Sequence, residues 1–240
     1  LEASREARAR VETFGIGLAA NWEASNLQLI QGCYAFDVTH EGRPFGDFQL
    51  RIAGRHNVEN ALAAIAVLAE VGLASEAIAE HLLSFRGTSR RFEHLGKAGE
   101  IELVDDYAHH PTEIRATLGA ARERFGQRRL IVVFQPHQYS RTRFLFTDFV
   151  ASFDAADVLV VPDIYFVRDS EFERSQVNSH DLVMEIAKRG VRALHIATFE
   201  EIEDHLAKIL EPNDVLITMG AGNVNEIARR MHGRLLAAVR

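Results

Sequence analysis

Residues 101–240 alternate without exception between short apolar runs and longer amphipathic stretches, and this constrains the fold more than any other feature. The runs "IELVD", "RLIVVF", "DVLVVP", "ALHIA" and "DVLITM" read as strands, and helical stretches begin near Pro111, Arg141, Ser179, Phe199 and Gly222. Apolar strands separated by amphipathic helices specify a parallel sheet covered on both faces, because each crossover must return the chain to the same strand direction. The expected class is α/β, a doubly wound Rossmann-like domain over residues 87–240. In such folds ligands sit beyond the carboxyl ends of the strands.

The first part of the chain follows a different pattern. Short β-rich segments, "VETFGIG", "LQLIQGCYAFDVTH" and "DFQLRIA", occupy residues 11–53, with "EGRP" as a hairpin turn, and the simplest expectation is an antiparallel unit. Two helices follow: "NVENALAAIAVLAEVGL", ended by Gly72, and "SEAIAEHLLSF", with Ser75 as N-cap. The segment "RGTSRRFEHLGKAGE" is the candidate boundary, which gives domains of 1–86 and 87–240.

Composition removes several function classes. Thirty-four acidic against 27 basic residues, dispersed along the chain, leave a net charge of -7 and no basic stripe, so no nucleic-acid partner is expected. One cysteine, Cys33, cannot make an internal disulfide. The most apolar run, "ALAAIAVLA", is too short for a membrane span, and the cytoplasm is the expected compartment. "LEASREARAR" carries no targeting pattern and reads as the tail of a surface helix, in a chain entered partway.

Polar residues gather at the strand ends. Asp105, Asp106, Tyr107, His109 and His110 follow the first strand of the second domain, and Gln135, His137, Tyr139 and Arg141 follow the next. Asp163 and Tyr165 follow the third, and Gly220 to Gly222 the last. A metal site built from His109, His110, His137 and Asp106 is disfavoured, because adjacent histidines splay apart and no H-x-x-x-H spacing occurs. A nucleophilic hydrolase would need a G-x-S-x-G elbow or an activated cysteine. A charged substrate fits best: Arg141 and His137 can hold a carboxylate, Asp106 can accept from hydroxyls, and Tyr107 can donate. The turn "MGAGNVNEI" lacks the third glycine of a dinucleotide fingerprint, so close packing explains it better. No G-x-x-x-x-G-K-[ST] loop is present: Arg91 stands where the first glycine before Gly96-Lys97 would be.

Four motifs in order, "GRHNVENALAAIA", "FRGTSRRFEHLG", "VDDYAHHPTEI" and "FQPHQYSRTR", resemble the Mur ligases of peptidoglycan synthesis. The last two look most like the members that join L-alanine to UDP-N-acetylmuramate. The resemblance implies an ATP-dependent amide ligation: the muramoyl carboxylate attacks the γ-phosphate, and the amine of L-alanine then displaces phosphate. It further implies that residues 1–86 are the end of a central ATP-binding domain whose P-loop half lies outside this chain, as do most Mg²⁺ ligands. By motif, Asn57 and Asn60 match asparagines near the adenine, Arg91 an arginine reaching the ATP phosphates, and Asp106 a ribose-binding aspartate. Tyr107, His109, His137 and Arg141 would surround the alanine and the muramoyl carboxyl group, with Arg91 and His109 as the catalytic pair. Asp105 would support the turn and Arg90 would be a surface residue. Two departures stand out: Gln138 replaces a common arginine, and "YFVRDSEFERSQVNS" differs from a shorter Pro- and Gly-bearing loop. The competing readings are a sibling ligase that adds a peptide, and a non-catalytic nucleotide-binding module.

Overall fold

The structure is a computed structural model that describes residues 7–238 and divides into two compact units, Leu1–Arg86 and Gly87–Arg240. The first unit begins with β1 (Phe14–Ile16), β2 (Trp22–Ile30), β3 (Cys33–His40) and β4 (Arg43–Gln49), hydrogen-bonded in that order. Gln31-Gly32 and Glu41-Gly42 turn the chain between β2 and β3 and between β3 and β4, with positive φ at all four residues. Two-residue turns of that kind match the twist of the strands they join. Period-2 alternation then sends Phe36, Val38 and Phe48 to one face, where they meet Trp22. The helix α1 (Arg55–Glu70) buries Val58, Ala61, Leu62 and Ile65 on the same core, and α2 (Ser75–Ser84) adds Ile78. Gly72, at φ 90, closes α1: its N–H donates to Ala69 O and that of Leu73 to Leu68 O. A left-handed residue satisfying the last carbonyls in this way is the usual helix stop.

Several expectations for this unit need correction. The sheet is not wholly antiparallel, because β1 runs parallel to β2. The segment read as "LQLIQGCYAFDVTH" is two strands folded at Gln31-Gly32, and only Glu41-Gly42 of "EGRP" is turn, since Arg43 and Pro44 already pair in β4. Ser75 is the first helical residue of α2, whose N-cap is Ala74 with no side-chain bond. Of the N-terminal helix tail, residues 1–6 lie outside the described residues and residues 7–10 are not helical.

The second unit contains β5 (Glu93–Ala98), β6 (Ile101–Asp106), α3 (Pro111–Phe125), β7 (Leu130–Phe134), α4 (Tyr139–Phe144), α5 (Phe146–Val150) and β8 (Val158–Val161). It continues through α6 (Glu171–Gln176), α7 (Ser179–Ala187), β9 (Arg192–His195), α8 (Phe199–Ile209), β10 (Val215–Met219) and α9 (Asn225–Ala238). Six strands, not five, form one sheet in the order β5-β6-β10-β7-β8-β9. The strand that sequence reading missed, β5, is a polar edge strand, "EHLGKA", running antiparallel to β6 with an irregularity between His94 and Gly96. An edge strand needs no apolar run on both faces. The inner strands do: every residue of β7, β8 and β10 is buried.

The crossovers from β6 to β7, β8 and β9 advance in one direction, and the crossover from β9 to β10 runs back. Right-handed connections therefore put α3, α5 and α7 on one face and α8 and α9 on the other, and α5 packs on α7 and α8 on α9. The sheet is doubly wound, as read. Side chains cap the helices of the loops: His110 and Glu113 form a capping box ahead of Pro111, Thr198 and Glu201 another ahead of α8, and Asn178 caps α7.

With its own sheet, core and caps, the second unit should fold alone. Residues 87–240 produced as a separate chain should unfold in one cooperative denaturant transition by circular dichroism and tryptophan-independent near-UV signal; a graded, non-cooperative transition would show that its core depends on residues 1–86.

Candidate active-site face

The carboxyl end of β10 lies between those of β6 and β7, so the two polar turns singled out in the sequence are not on neighbouring strands; β10 separates and joins them. Its last residues are tied to both sides. The Gly220 N–H donates to Asp106 O at 3.2 Å, and the Gln135 N–H donates to Met219 O at 2.9 Å. Asp105, 1 % exposed, accepts from Thr218 Oγ1 at 2.6 Å and from Arg90 Nε at 3.2 Å, while Arg90 Nη2 reaches Gly220 O at 2.5 Å. Burial pushes the Asp105 carboxyl above the usual carboxylate range, and Thr218 and Arg90 oppose that shift. Arg90 is therefore not a surface residue: it is the internal cation that makes a buried Asp105 tolerable, and it crosses the Tyr107 ring at 4.9 Å.

Asp106 is also an internal organiser. It is 6 % exposed, and its oxygens accept from Phe92 N at 2.6 Å and Ala108 N at 2.7 Å. Burial raises its pKa, against the hydrogen bonds from Phe92, Ala108 and Thr117. Those bonds fix the "RRF" turn, in which Arg90 and Phe92 both adopt positive φ, 60° and 46°. Arg91 projects from this turn, 57 % exposed, 3.8 Å from Glu113 and 5.6 Å from the Tyr107 ring. Beyond β6, His109 Nδ1 lies 2.9 Å from Tyr107 O, its ring is edge-on to Tyr107 at 5.3 Å, and Glu113 Oε2 accepts from the His109 and His110 N–H groups.

The turn after β7 is held by the loop whose role the sequence left open. The Tyr165 N–H donates to Pro136 O at 2.8 Å, and Gln138 N–H returns to Tyr165 O at 3.1 Å. Asp169 accepts from the Tyr139 N–H and the Ser140 hydroxyl, both at 2.6 Å, and Glu173 takes a two-pronged contact from Arg143. The "YFVRDSEFERSQVNS" loop thus carries α6 and clamps α4. Gln138 sits at φ 74, so this position shapes the backbone as well as the surface. The Tyr165 ring stacks on His137 at 5.3 Å and 13°, and Arg141 Nη1 donates to His137 O at 3.4 Å.

His137 is the point at which the two turns feel each other. Its pKa lies below 6.5 because burial disfavours the imidazolium, and the charges of Arg141 and His109 push the same way. Because β10 lies between β6 and β7 and runs parallel to both, the turn of Tyr107 and His109 and the turn of His137 and Arg141 leave the same edge of the sheet. Asn57 and Asn60 belong to the first unit, at the start of α1: Asn57 Nδ2 donates to Ala53 O and Asn60 Nδ2 to Asn57 Oδ1. Asn57 is not a cap, since the α1 N-cap is Gly54. A pair of linked amides, Asn57 half-buried and Asn60 exposed, can both donate and accept, which fits an adenine edge. Among the described residues the one group able to offer three metal ligands is Glu12, His40 and Glu41, in the first unit. Arg90, Tyr165 and Asp169 were not assigned roles from the sequence. All three lie inside stretches quoted from the sequence, and Tyr165 is among the strand-end residues, but nothing local told which way each side chain turns.

The sign of the His137 shift gives a test. With the folded value depressed, the stability this side chain contributes is complete above about 6.5 and is lost as pH falls towards the folded value, because the unfolded chain takes up the proton first. Denaturant unfolding of the wild type and of His137→Asn between pH 7.5 and pH 5 should show the wild type losing ground on acidification; a difference that stays flat, or widens in the wild type's favour, would contradict the buried neutral imidazole.

Comparison with known proteins agrees with this architecture. The profile of the "Mur ligase, glutamate ligase domain" matches residues 90–222, and that of the "Mur ligase middle domain" matches residues 1–68. A UDP-N-acetylmuramate–L-alanine ligase of Caldanaerobacter subterraneus is 42 % identical over 221 residues, covering 92 % of this chain and 47 % of its own. One from Geobacter sp. strain M21 is 43 % identical over 230 residues, covering 95 % and 50 %. Among solved structures, the UDP-N-acetylmuramate-alanine ligase MurC from Thermotoga maritima superposes with a TM-score of 0.77 at 27 % identity, over 95 % of this chain and 48 % of that one. The chain spans about half the length of the curated relatives it matches. With one domain profile covering more than half of its residues and a second matching ahead of it, the chain belongs to the Mur ligase family.

Proposed function

We propose that this chain forms part of a cytoplasmic ligase that joins L-alanine to UDP-N-acetylmuramate with ATP, in peptidoglycan synthesis. The observation that carries the reading is the placement of the turn of Tyr107 and His109 and the turn of His137 and Arg141 on either side of β10, at the point where strand order reverses. Open α/β sheets bind ligands there, and the relatives named above act on these substrates.

In this reading Arg141 offers the fixed positive charge for a carboxylate, and the neutral His137 beside it supplies hydrogen bonds without a second charge. Tyr107 and His109 form the opposite wall and orient the muramoyl carboxyl group. Arg91, exposed on a strained turn, is free to meet the phosphates of a nucleotide. Asp106 serves the nucleotide side by fixing that turn, since both its oxygens already accept backbone N–H groups. Asn57 and Asn60 take the adenine. ATP supplies the phosphoryl group that activates the carboxylate, and Mg²⁺ would offset its charge; we assign Mg²⁺ no ligand on this face. No helix among the described residues is long and apolar enough to cross a membrane.

Steady-state kinetics of the full-length ligase, with each substrate varied in turn, tests these assignments. Arg141→Ala should raise KM for L-alanine or UDP-N-acetylmuramate, at a cost of about 2–5 kcal/mol for a desolvated charge-assisted contact, and Asn60→Ala should act on ATP. Equal defects towards all three substrates would contradict the division. The 240-residue chain by itself has no loop of backbone amides and lysine to hold the β- and γ-phosphates. It should release phosphate from ATP, with both other substrates and Mg²⁺ present, only at background; robust turnover would place the phosphate site among residues read here as structural.

A further inference from the structure

The first unit carries a side-chain cluster that the ligase reading does not use. Glu12, His40 and Glu41 each present one ligand atom, and these atoms lie within 4.8 Å of one another. Glu12 precedes β1, His40 ends β3, and Glu41 opens the turn to β4. Backbone pairing brings the two segments together. Trp22 stands opposite His40 in the β2–β3 register, its N–H donates to Thr13 O at 2.9 Å, and the Glu41 N–H donates to Asn21 O at 2.8 Å. Asn21 Oδ1 completes the clasp, accepting from the Thr13 N–H at 2.9 Å and from the Thr13 hydroxyl at 3.0 Å. Asn21 and Trp22 thus hold both the Glu12-Thr13 segment and the β3–β4 turn.

The side chains are oriented as well as gathered. Trp22 Nε1 donates to Glu12 Oε2 at 2.6 Å, which leaves Oε1 facing His40, 3.5 Å from its Nε2. The same indole lies flat on the His40 ring, with centroids 4.0 Å apart and planes 9° from parallel. The Trp22 bond, aided by the charge of Arg10, holds the Glu12 carboxyl below the usual carboxylate range, so it is ionised at neutral pH. Glu12 Oε1 and His40 Nε2 nevertheless have no hydrogen-bond partner. Ligand atoms about 2.1 Å from a zinc ion stand about 3.4 Å apart at tetrahedral angles, so these two are already spaced as neighbours in such a shell. Glu41, 60 % exposed on its turn, can swing in as the third ligand and marks the side open to solvent.

The position already attracts a cation. Arg10 Nη2 lies 2.5 Å from Glu12 Oε1 and 3.5 Å from Glu41 Oε1, at ion-pair distance without hydrogen-bond geometry. An exposed guanidinium can balance the two carboxylates, but His40 Nε2 stays unmet. A metal ion would satisfy all three. We infer that Glu12, His40 and Glu41 bind a divalent transition-metal ion of the zinc class, with water completing the shell and Arg10 displaced. One imidazole with two carboxylates suits zinc or its neighbours in the first transition row, whereas Mg²⁺ prefers an octahedron of oxygens. The ion cross-links the entry to β1 with the β3–β4 turn across the start of β2, and so stabilises the first unit by mass action. The inference does not depend on the ligase reading.

Trp22 is the only tryptophan of the chain and stacks on a ligand, so its fluorescence reads the site. The 240-residue chain, stripped of metal with a chelator, is titrated with CoCl₂ at a pH above the ordinary histidine value. Co²⁺, whose unfilled d shell quenches a nearby indole, should quench Trp22 along a one-site saturable curve. Zn²⁺ should compete with it, and millimolar Mg²⁺ should not. His40→Gln and Glu41→Gln should each weaken binding by at least the about 10–100-fold that loss of an outer-shell partner costs. Glu41→Gln, on an exposed turn, removes a ligand without touching the Trp22–His40 stack, which separates lost coordination from lost folding. Arg10→Ala should tighten binding, because it removes the competing cation. Zn²⁺ should raise the melting temperature of the wild type and not that of Glu41→Gln. Unchanged affinity in Glu41→Gln would reduce the site to metal on a lone histidine and overturn the inference. Competition by Mg²⁺ as effective as that by Zn²⁺, or no saturable change at Trp22, would overturn it too.

Discussion

The second unit depends on β10 entering the sheet between β6 and β7. The polar crest is fastened to that strand at three points. Thr218 and Arg90 hold the buried Asp105, Gly220 meets Asp106 O, and Met219 O receives the Gln135 N–H. Gly220, at φ 148, is the position where the chain leaves the sheet, and nothing but hydrogen fits between it and Gln135 O. Two turns 30 residues apart in sequence thus become opposite walls of one face.

Around this strand the charged groups divide into two kinds. Asp105 and Asp106 are buried; half-buried Arg90 pairs with Asp105, and Asp106 accepts backbone N–H groups, so all three fix backbone, and removing Arg90 is costly because Asp105 is left uncompensated. Arg91, His109, His137 and Arg141 are only partly engaged by the protein and face outward on the structure those three maintain. The distinction matters for reading a pair such as "DD" or "RR". Adjacent identical residues in this chain serve opposite ends: Arg90 turns inward to Asp105 while Arg91 turns outward, and the positive φ at Arg90 is what separates them.

Much of the architecture was legible in the sequence, because inner strands buried on both faces tend to be continuous apolar runs, as β7 and β8 are and β10 nearly is, while β6 begins with the apolar-rich "IELV" and ends on two buried carboxylates. The edge strand β5 was not, since pairing on one side asks little of its side chains. The place of β10 was not either: periodicity finds strands but does not order them, and β10's insertion is a tertiary fact. The polar crest could be read as a set of residues at strand ends, and the family motifs assigned them roles. What the sequence concealed was direction. "RRF" does not say which arginine turns inward, "DSEFER" does not say that Asp169 and Glu173 clamp α4, and a glutamine behind a strand gives no hint that its amide oxygen lies unpaired beneath a glycine.

Native-state hydrogen exchange measures the central claim most directly, because it reports which amides open only when β10 does. The amides of Gly220 and Gln135, which join β10 to β6 and β7, should exchange with the same free energy of opening as Leu216 and Ile217 in the middle of that strand, and should respond to denaturant with the same slope. If Gly220 and Gln135 exchange through a cheaper, denaturant-insensitive local opening while Leu216 and Ile217 stay protected, the crest is a pair of independent loops and β10 is not what holds them together.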